Sequence, residues 1–265
     1  MPDLRYHLIS LISVFLALAI GILLGVAMAD RGVVSNRMQA EIAGIQQQLD
    51  RQQKEIGKRD KQIADQEAML KRMSEVMIVD RLKGKDVALV AGPYADPDTY
   101  QAIMGDLSVA GANITSSKRL DPPNPTAQGL TAPEATTQLE SNYAAVARDI
   151  LGLTGGNSSF PEIVVFVGGG KIPKDAPPGT LGALKDVERR MFEVWLDAGV
   201  RVIGAEPTNP GRTEVPLFQN VGIPSVVNAD QPAGRAAIVE CAISENCEGT
   251  YGTKDAASQP FPSPS

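Results

Sequence analysis

Hydrophobic and polar positions follow three different patterns along the chain. The first is a run of 22 residues from Leu8 to Ala29 that carries no charged side chain. As a helix this run is about 33 Å long, and a bilayer core is about 30 Å thick. Signal peptides have an apolar run of only about 7 to 15 residues, although Ala27 and Ala29 would suit their cleavage site. The pattern therefore predicts a transmembrane anchor over residues 1–30, with a cleaved signal as the alternative.

Small residues recur at every fourth position within the apolar run and so lie on one face of the predicted helix. They are Ala17, Gly21, Gly25 and Ala29. Small side chains let two membrane helices approach closely, so this face favours self-association of the anchor. The basic residues around the run do not decide its orientation, because one arginine precedes it and two follow it closely.

Residues 31–85 carry a heptad pattern that predicts a coiled coil directly after the membrane. Its apolar core positions are Ile42, Ile45, Leu49, Ile56, Ile63, Leu70, Met73 and Met77. No proline interrupts this stretch, and Gln, Glu, Lys and Arg fill many of the other positions. Three further core positions are polar, at Gln52, Arg59 and Gln66. Polar core residues fix the register at some cost in stability, so the coil is either a homodimer or a seam that a partner helix completes.

Residues 86–248 alternate short apolar runs with amphipathic segments, which is the pattern of an α/β domain. The predicted strands are 86–91, 162–167, 200–205 and 224–227, with 113–116 as a further edge strand. The predicted helices are 98–110, 134–151, 181–198 and 232–243. Elements in this order build an open, mostly parallel sheet between two helix layers. Residues 249–265 are polar and contain prolines, and we expect them to form a disordered tail.

Composition and charge exclude several classes of function. The chain has a net charge of −6 and only 5% aromatic residues, so we expect no nucleic-acid partner. Its one histidine, His7, adjoins the apolar run, which excludes a Ser-His-Asp triad or a multi-histidine metal site in the domain. The run 168–171 lacks the spacing of a phosphate-binding loop, and Asp98, near Asp96, suits a helix cap better than a phosphotransfer pair. We therefore expect a protein that is not an enzyme, without catalytic or cofactor-binding residues.

Sulfur-containing residues are the remaining candidates for chemistry. Cys241 and Cys247 enclose a five-residue loop, which favours a small disulfide in an oxidising compartment over two packed thiols. Met69, Met73 and Met77 recur every four residues on one helical face. Thioethers are soft ligands that bind Cu(I). Two of these methionines also serve the heptad core, so apolar packing is the alternative to copper binding.

Several blocks of the sequence resemble the actinobacterial family named for the mycobacterial copper transport protein MctB, to which the cell-separation protein SteB also belongs. They are the opening LRYHLISLISVFLALAIGILLG with the coil after it, DVALVAGPYAD, SVVNADQPAGRAAIVECA and the closing Tyr251-Gly252-Thr253. The resemblance covers nearly the whole chain and implies an envelope protein of a mycolate-containing actinobacterium. It implies either copper efflux through an outer-membrane channel or cell separation. For cell separation it implies a membrane partner like SteA and activation of a peptidoglycan hydrolase through coiled-coil contact.

The residues of this chain help to choose between the two functions. A pore through an outer membrane needs a closed barrel or several spans, and one apolar helix supplies neither. Residues 86–265 contain few soft ligands, namely Met104, Met191 and the two cysteines. We therefore expect a plasma-membrane-anchored scaffold or activator, with most of the chain outside the cytoplasm, that acts in cell separation through its coiled coil. Copper homeostasis as an MctB-like transporter or channel component of the outer membrane is the alternative.

Overall fold

The computed structural model describes residues 4–29, 33–122, 132–153, 160–174, 176, 179–253 and 257–262. By its internal contacts the chain divides into two units, residues 1–65 and residues 66–265, and each unit is described by itself. Residues 254–256 and 263–265 of the predicted tail lie outside the described residues.

The first unit contains the apolar helix. Helix α1 spans Leu4–Ala29, and its stretch Tyr6–Met28 is long and apolar enough to cross a membrane once. The large apolar side chains of this stretch are exposed, as lipid contact requires. A β-carbon added at Gly21 or Gly25 would meet no atom within 4 Å, so the small-residue face is open to another helix. These features agree with a single-pass membrane anchor.

The heptad region forms one long helix. Helix α2 spans Val33–Ile78, which is 46 residues, and it begins in the first unit and ends in the second. The eight apolar core side chains of the heptad pattern are each 50% to 57% exposed on the single chain. A coiled coil requires a second helix against this stripe, and the coiled coil therefore stays a prediction.

The second unit contains a six-stranded parallel sheet, which confirms the predicted α/β domain. The strands lie in the order β2-β1-β3-β4-β5-β6, and every neighbouring pair is parallel. The strands are β1 (Asp86–Ala91), β2 (Asn113–Arg119), β3 (Ile163–Val167), β4 (Arg201–Ala205), β5 (Ser225–Val226) and β6 (Thr250–Tyr251). The five predicted strands begin at the expected residue or one residue after it, and β2 continues to Arg119.

Helices cover both faces of the sheet. The helices of the domain are α3 (Pro97–Val109), α4 (Ala132–Ile150), α5 (Thr180–Asp197), α6 (Val215–Asn220) and α7 (Pro232–Ile243). One buried layer joins the sheet to α3 and α7, and the other joins it to α4, α5 and α6. Neighbouring residues of a strand point to opposite faces, so Leu89 belongs to the first layer and Val90 to the second. The domain therefore has the expected three layers.

The C-terminal end of α2 packs onto the first of these layers. Ile78 is 2% exposed, and Leu82, four residues later, is fully buried. The Ser74 hydroxyl donates a hydrogen bond of 2.9 Å to the carbonyl of Pro232, the first residue of α7. Arg81 forms an ion pair of 3.0 Å with Glu240, which is also on α7. One face of the end of α2 is thereby fixed to the α/β domain.

Two elements depart from the sequence-based expectations. Helix α6 is not among the helices that the sequence predicts, and β6 lies in the expected disordered tail. Thr250 and Tyr251 are 1% and 4% exposed, and Phe261, later in the same segment, packs against the core. The expectation of disorder is wrong for these residues. A two-residue strand depends on partners elsewhere in the chain, so it has no local pattern of its own.

Candidate functional site

The usual ligand position of a doubly wound sheet is filled here by the protein's own loops. Ligands bind such sheets at the carboxyl ends of the strands where the strand order reverses, which lies between β1 and β3. The loops that follow these strands contain Tyr94 and the run Gly168–Gly170. A β-carbon on Gly170 would overlap the Tyr94 backbone, and Tyr94 itself has a positive φ of 69°. The glycines thus allow the two loops to pack closely. This favours a structural turn at residues 168–171 over a phosphate-binding site.

Three ionisable residues form a buried ionic cluster against the β3 loop: Glu188 on α5, and Arg212 and Glu214 after β4. Arg212 Nη2 donates hydrogen bonds of 2.7 and 3.0 Å to the two carboxylate oxygens of Glu188, and it also donates to Glu214. These side chains are 0%, 8% and 3% exposed, in the order Glu188, Arg212, Glu214. The backbone N–H of Glu214 donates to the carboxylate of Glu206 at 3.0 Å. A β-carbon on Gly168 would overlap the Glu214 carboxylate, so this glycine is needed for the cluster.

Burial changes the acid–base behaviour of this cluster. Removal from water, followed by the charge of Glu214, raises the pKa of Glu188 to about 8. Burial also raises the pKa of Glu214, although Arg212 opposes this shift. Burial by itself would lower the pKa of Arg212, but the two glutamates hold it above its ordinary value. With a pKa of about 8, the Glu188 carboxyl group keeps its proton at neutral pH, whereas Arg212 stays charged.

The buried ionic cluster is enclosed and joins two distant segments of the domain. Its side chains are enclosed, and the Tyr143 hydroxyl beside them is also buried, which raises the pKa of that phenol. The cluster ties α5 to the segment after β4, because Glu188 and Arg212 are 24 residues apart in the chain. Sequence analysis missed it, and the sole local signal is a pair of charged residues, Arg212 and Glu214, within a proline-rich connection.

The three methionines of α2 lie on a face that the domain leaves uncovered. Met69, Met73 and Met77 are 63%, 50% and 55% exposed, whereas Ser74 and Ile78 on the domain side are 5% and 2% exposed. Residues four apart on a helix are separated by about 6 Å along its axis, so neighbouring methionines present their thioethers side by side. This methionine face, defined by Met69, Met73 and Met77, lies wholly within the second unit.

The two cysteines are joined to each other in the structure. Cys241 at the end of α7 and Cys247 form a disulfide with their Cα atoms 5.2 Å apart, which is an ordinary separation for a bridged pair. Their sulfurs are therefore withdrawn from Cu(I) binding. Within the described ranges, no group of three or more His, Cys, Asp and Glu side chains is placed to hold a metal ion. Met28 and Met38 are also exposed, but among the described residues the three thioethers of the methionine face recur at four-residue spacing on one helix.

Comparison with known protein families identifies the N-terminal half of the chain. The family described as copper transport outer membrane protein, MctB, matches residues 1–153. The chain belongs to this family. The match confirms the MctB part of the resemblance drawn from the sequence blocks. No curated protein matches the chain.

The matched region of this MctB-family chain contains α1, α2 and the domain as far as α4. The methionine face therefore lies inside the matched region, whereas the buried ionic cluster lies outside it. The family description names copper transport and the outer membrane, and it does not name cell separation. The family thus supports copper homeostasis more than the scaffold function that the residues favoured.

Proposed function

We propose that this protein acts in copper homeostasis of the cell envelope, binding Cu(I) through the methionine face of α2. The observation that carries the proposal is the exposure of Met69, Met73 and Met77 on one helical face within the region that matches the copper transport family. Thioethers favour Cu(I) over harder metal ions. Because the domain packs on Ser74 and Ile78 instead, these thioethers are accessible to an ion from the solvent.

A membrane-anchored copper-binding component fits the fold better than a pore does. The described residues contain one candidate span, Tyr6–Met28, and a single helix encloses no channel. We propose that the protein has no catalytic activity and presents copper to other envelope components. We place it in the plasma membrane with the bulk of the chain outside the cytoplasm, because the Cys241–Cys247 disulfide suits an oxidising compartment. Recovery of the full chain in outer-membrane fractions would contradict this location and favour the one in the family description.

Copper binding is tested on the full chain in detergent. Cu(I) is supplied under ascorbate, which leaves the disulfide intact, and bathocuproine disulfonate competes for the ion. Replacing Met69, Met73 and Met77 with Leu preserves volume and apolar character and should abolish Cu(I) retention. Met38→Leu is the matched control, because Met38 is an exposed methionine of the same helix that is 31 residues from Met69. Equal Cu(I) retention by the triple variant and the control would contradict the proposal.

A second candidate function is a scaffold in cell separation, and the uncovered heptad stripe of α2 favours it. Eight large apolar side chains stay about half exposed over residues 42–77, which is a costly surface unless another helix covers it. Along residues 38–77, the charged residues at the positions flanking this stripe are all acidic: Glu41, Glu55, Asp60 and Glu67. A partner helix with Lys or Arg at its flanking positions would complement them. Under this function we propose a membrane partner like SteA and a peptidoglycan hydrolase as contacts.

Affinity capture from cells that express the full chain tests the scaffold function. Changing Ile56 and Ile63 to Asp puts two charges into the stripe and should remove a coil-dependent division or wall-hydrolysis partner. Gln47→Asp with Ala68→Asp is the matched control, because both residues occupy the outer heptad position on the same helix. Capture of the same partner by both double variants would count against the scaffold function.

A further inference from the structure

We infer that the copper site is completed by a second copy of this chain, with Cu(I) held between the Met73 and Met77 thioethers of two parallel α2 helices. This inference rests on the proposed Cu(I) binding and adds the partner that finishes the site. It joins the two surfaces that the structure leaves uncovered on the same helix, which are the methionine face and the end of the heptad stripe.

One helix presents too few ligands for a closed Cu(I) site. Successive methionines of the set are about 6 Å apart along the helix axis, so Met69 and Met77 are about 12 Å apart. One ion therefore reaches two neighbouring thioethers on a single chain and stays open on its other side. A second source of soft ligands must come from outside the helix.

The heptad pattern places two of the methionines where a second copy would meet them. Met73 and Met77 occupy the two core positions of the last repeat, and residues at core positions face their own counterparts in a parallel two-stranded coil. Met69 occupies a position that flanks the same seam. Two copies thus bring four core thioethers together, with the two Met69 side chains at the edge.

Charge does not oppose a second copy at this end of the helix. In the last repeat the flanking positions are Met69, Ser74 and Val76, so no charged side chain borders the seam. Earlier in the coil a parallel second copy would place Glu55 opposite Asp60, which is unfavourable. Val76 is 78% exposed and Leu70 is 50% exposed, so apolar surface is available to be buried with the methionines.

The domain contacts the seam at its flanking residue Ser74 but leaves the core positions Met73 and Met77 uncovered. The residues turned to the domain, Ser74 and Ile78, lie about 100° around the helix from the middle of the seam. Copies anchored in one membrane by their N-terminal helices enter it with the same polarity, which is compatible with parallel pairing of their α2 helices. The small residues of α1 also permit two anchors to pair closely.

The inference is tested with the full chain in detergent under ascorbate, by native mass spectrometry and sedimentation with and without Cu(I). We expect one Cu(I) per two chains and a dimer dissociation constant at least tenfold lower with the metal, because an ion that binds the dimer stabilises it. Met38→Leu should keep this response. Replacing Met69, Met73 and Met77 with Leu should remove the effect of copper on the dimer. Gln66→Cys, at the core position one heptad before Met73, should cross-link two copies with a short bismaleimide.

The outcomes separate this inference from the proposed function. One Cu(I) per chain without a change in mass would overturn the second-copy site and leave copper binding by the methionine face in place. A dimer whose dissociation constant is the same with and without Cu(I) would also overturn it. Absence of Cu(I) binding by the wild-type chain would overturn both. A Cu(I)-dependent dimer that is unchanged in the triple Leu variant would place the metal elsewhere and overturn the assignment to these methionines.

Discussion

We predict that the buried ionic cluster makes the stability of the α/β domain depend on pH in a direction opposite to that of most salt-bridged carboxylates. The pKa of Glu188 is raised from 4.5 to about 8, mainly by burial. Between these values the folded state keeps a proton that the unfolded chain releases. The free energy of unfolding therefore falls as the pH rises from about 5 to 8, and the stabilisation by this proton is lost once the pH passes the folded pKa.

Glu188→Gln removes this dependence because the amide stays neutral at every pH. One titrating group changes the free energy of unfolding by about 1.4 kcal/mol per pH unit at most. Between pH 5 and pH 8 the cluster therefore lowers the free energy of unfolding of the wild type by an amount on the order of 4 kcal/mol. We expect the variant to be close to the wild type at pH 5 and more stable than it at pH 8.

Urea unfolding of the full chain in detergent measures this difference through tryptophan fluorescence. Trp195 is the one tryptophan of the chain, is fully buried on α5, and donates a hydrogen bond of 3.2 Å to the Ala147 carbonyl. Glu193→Gln is the control, since Glu193 is on the same helix but forms an exposed ion pair with Arg189 at 2.9 Å. If Glu188→Gln and the control both keep the pH slope of the wild type, the cluster does not hold the proton and the reasoning is refuted.

Three further predictions concern packing and the disulfide. Leu82→Ala should lower the free energy of unfolding by about 2–5 kcal/mol, because this side chain is fully buried where α2 meets the domain; urea titration measures it, and a smaller loss would show that the contact is weak. Gly170→Ala should lower the melting temperature because its β-carbon would overlap the Tyr94 backbone, whereas Gly182→Ala, in open space on α5, should raise stability by about 0.5–1 kcal/mol. Replacing Cys241 and Cys247 together with Ser should lower the free energy of unfolding by about 2 kcal/mol, because the disulfide closes a short loop. Cu(I) retention should stay unchanged; a loss of bound Cu(I) would show that the cysteines are ligands.

Some elements of this protein could be predicted from the sequence, because their buried positions form a regular pattern among neighbouring residues. The apolar run of α1 follows from its length, and the strands β1, β3 and β4 follow from short β-branched runs that are buried on both faces. The heptad stripe and the methionine spacing are likewise properties of neighbouring residues on one helix. The order of strands and helices then restricted the fold to a parallel sheet between two helix layers.

The tertiary structure decided the features that depend on distant residues. The contact of Glu188 with Arg212, the pairing of β6 with β5, and the use of Ser74 to attach α2 to α7 each join segments that share no local pattern. Only the folded domain showed which face of α2 it covers, and hence that Met69, Met73 and Met77 stay exposed. A periodic pattern records which side chains of one element favour burial, whereas the surface that buries them is chosen by packing across the whole chain.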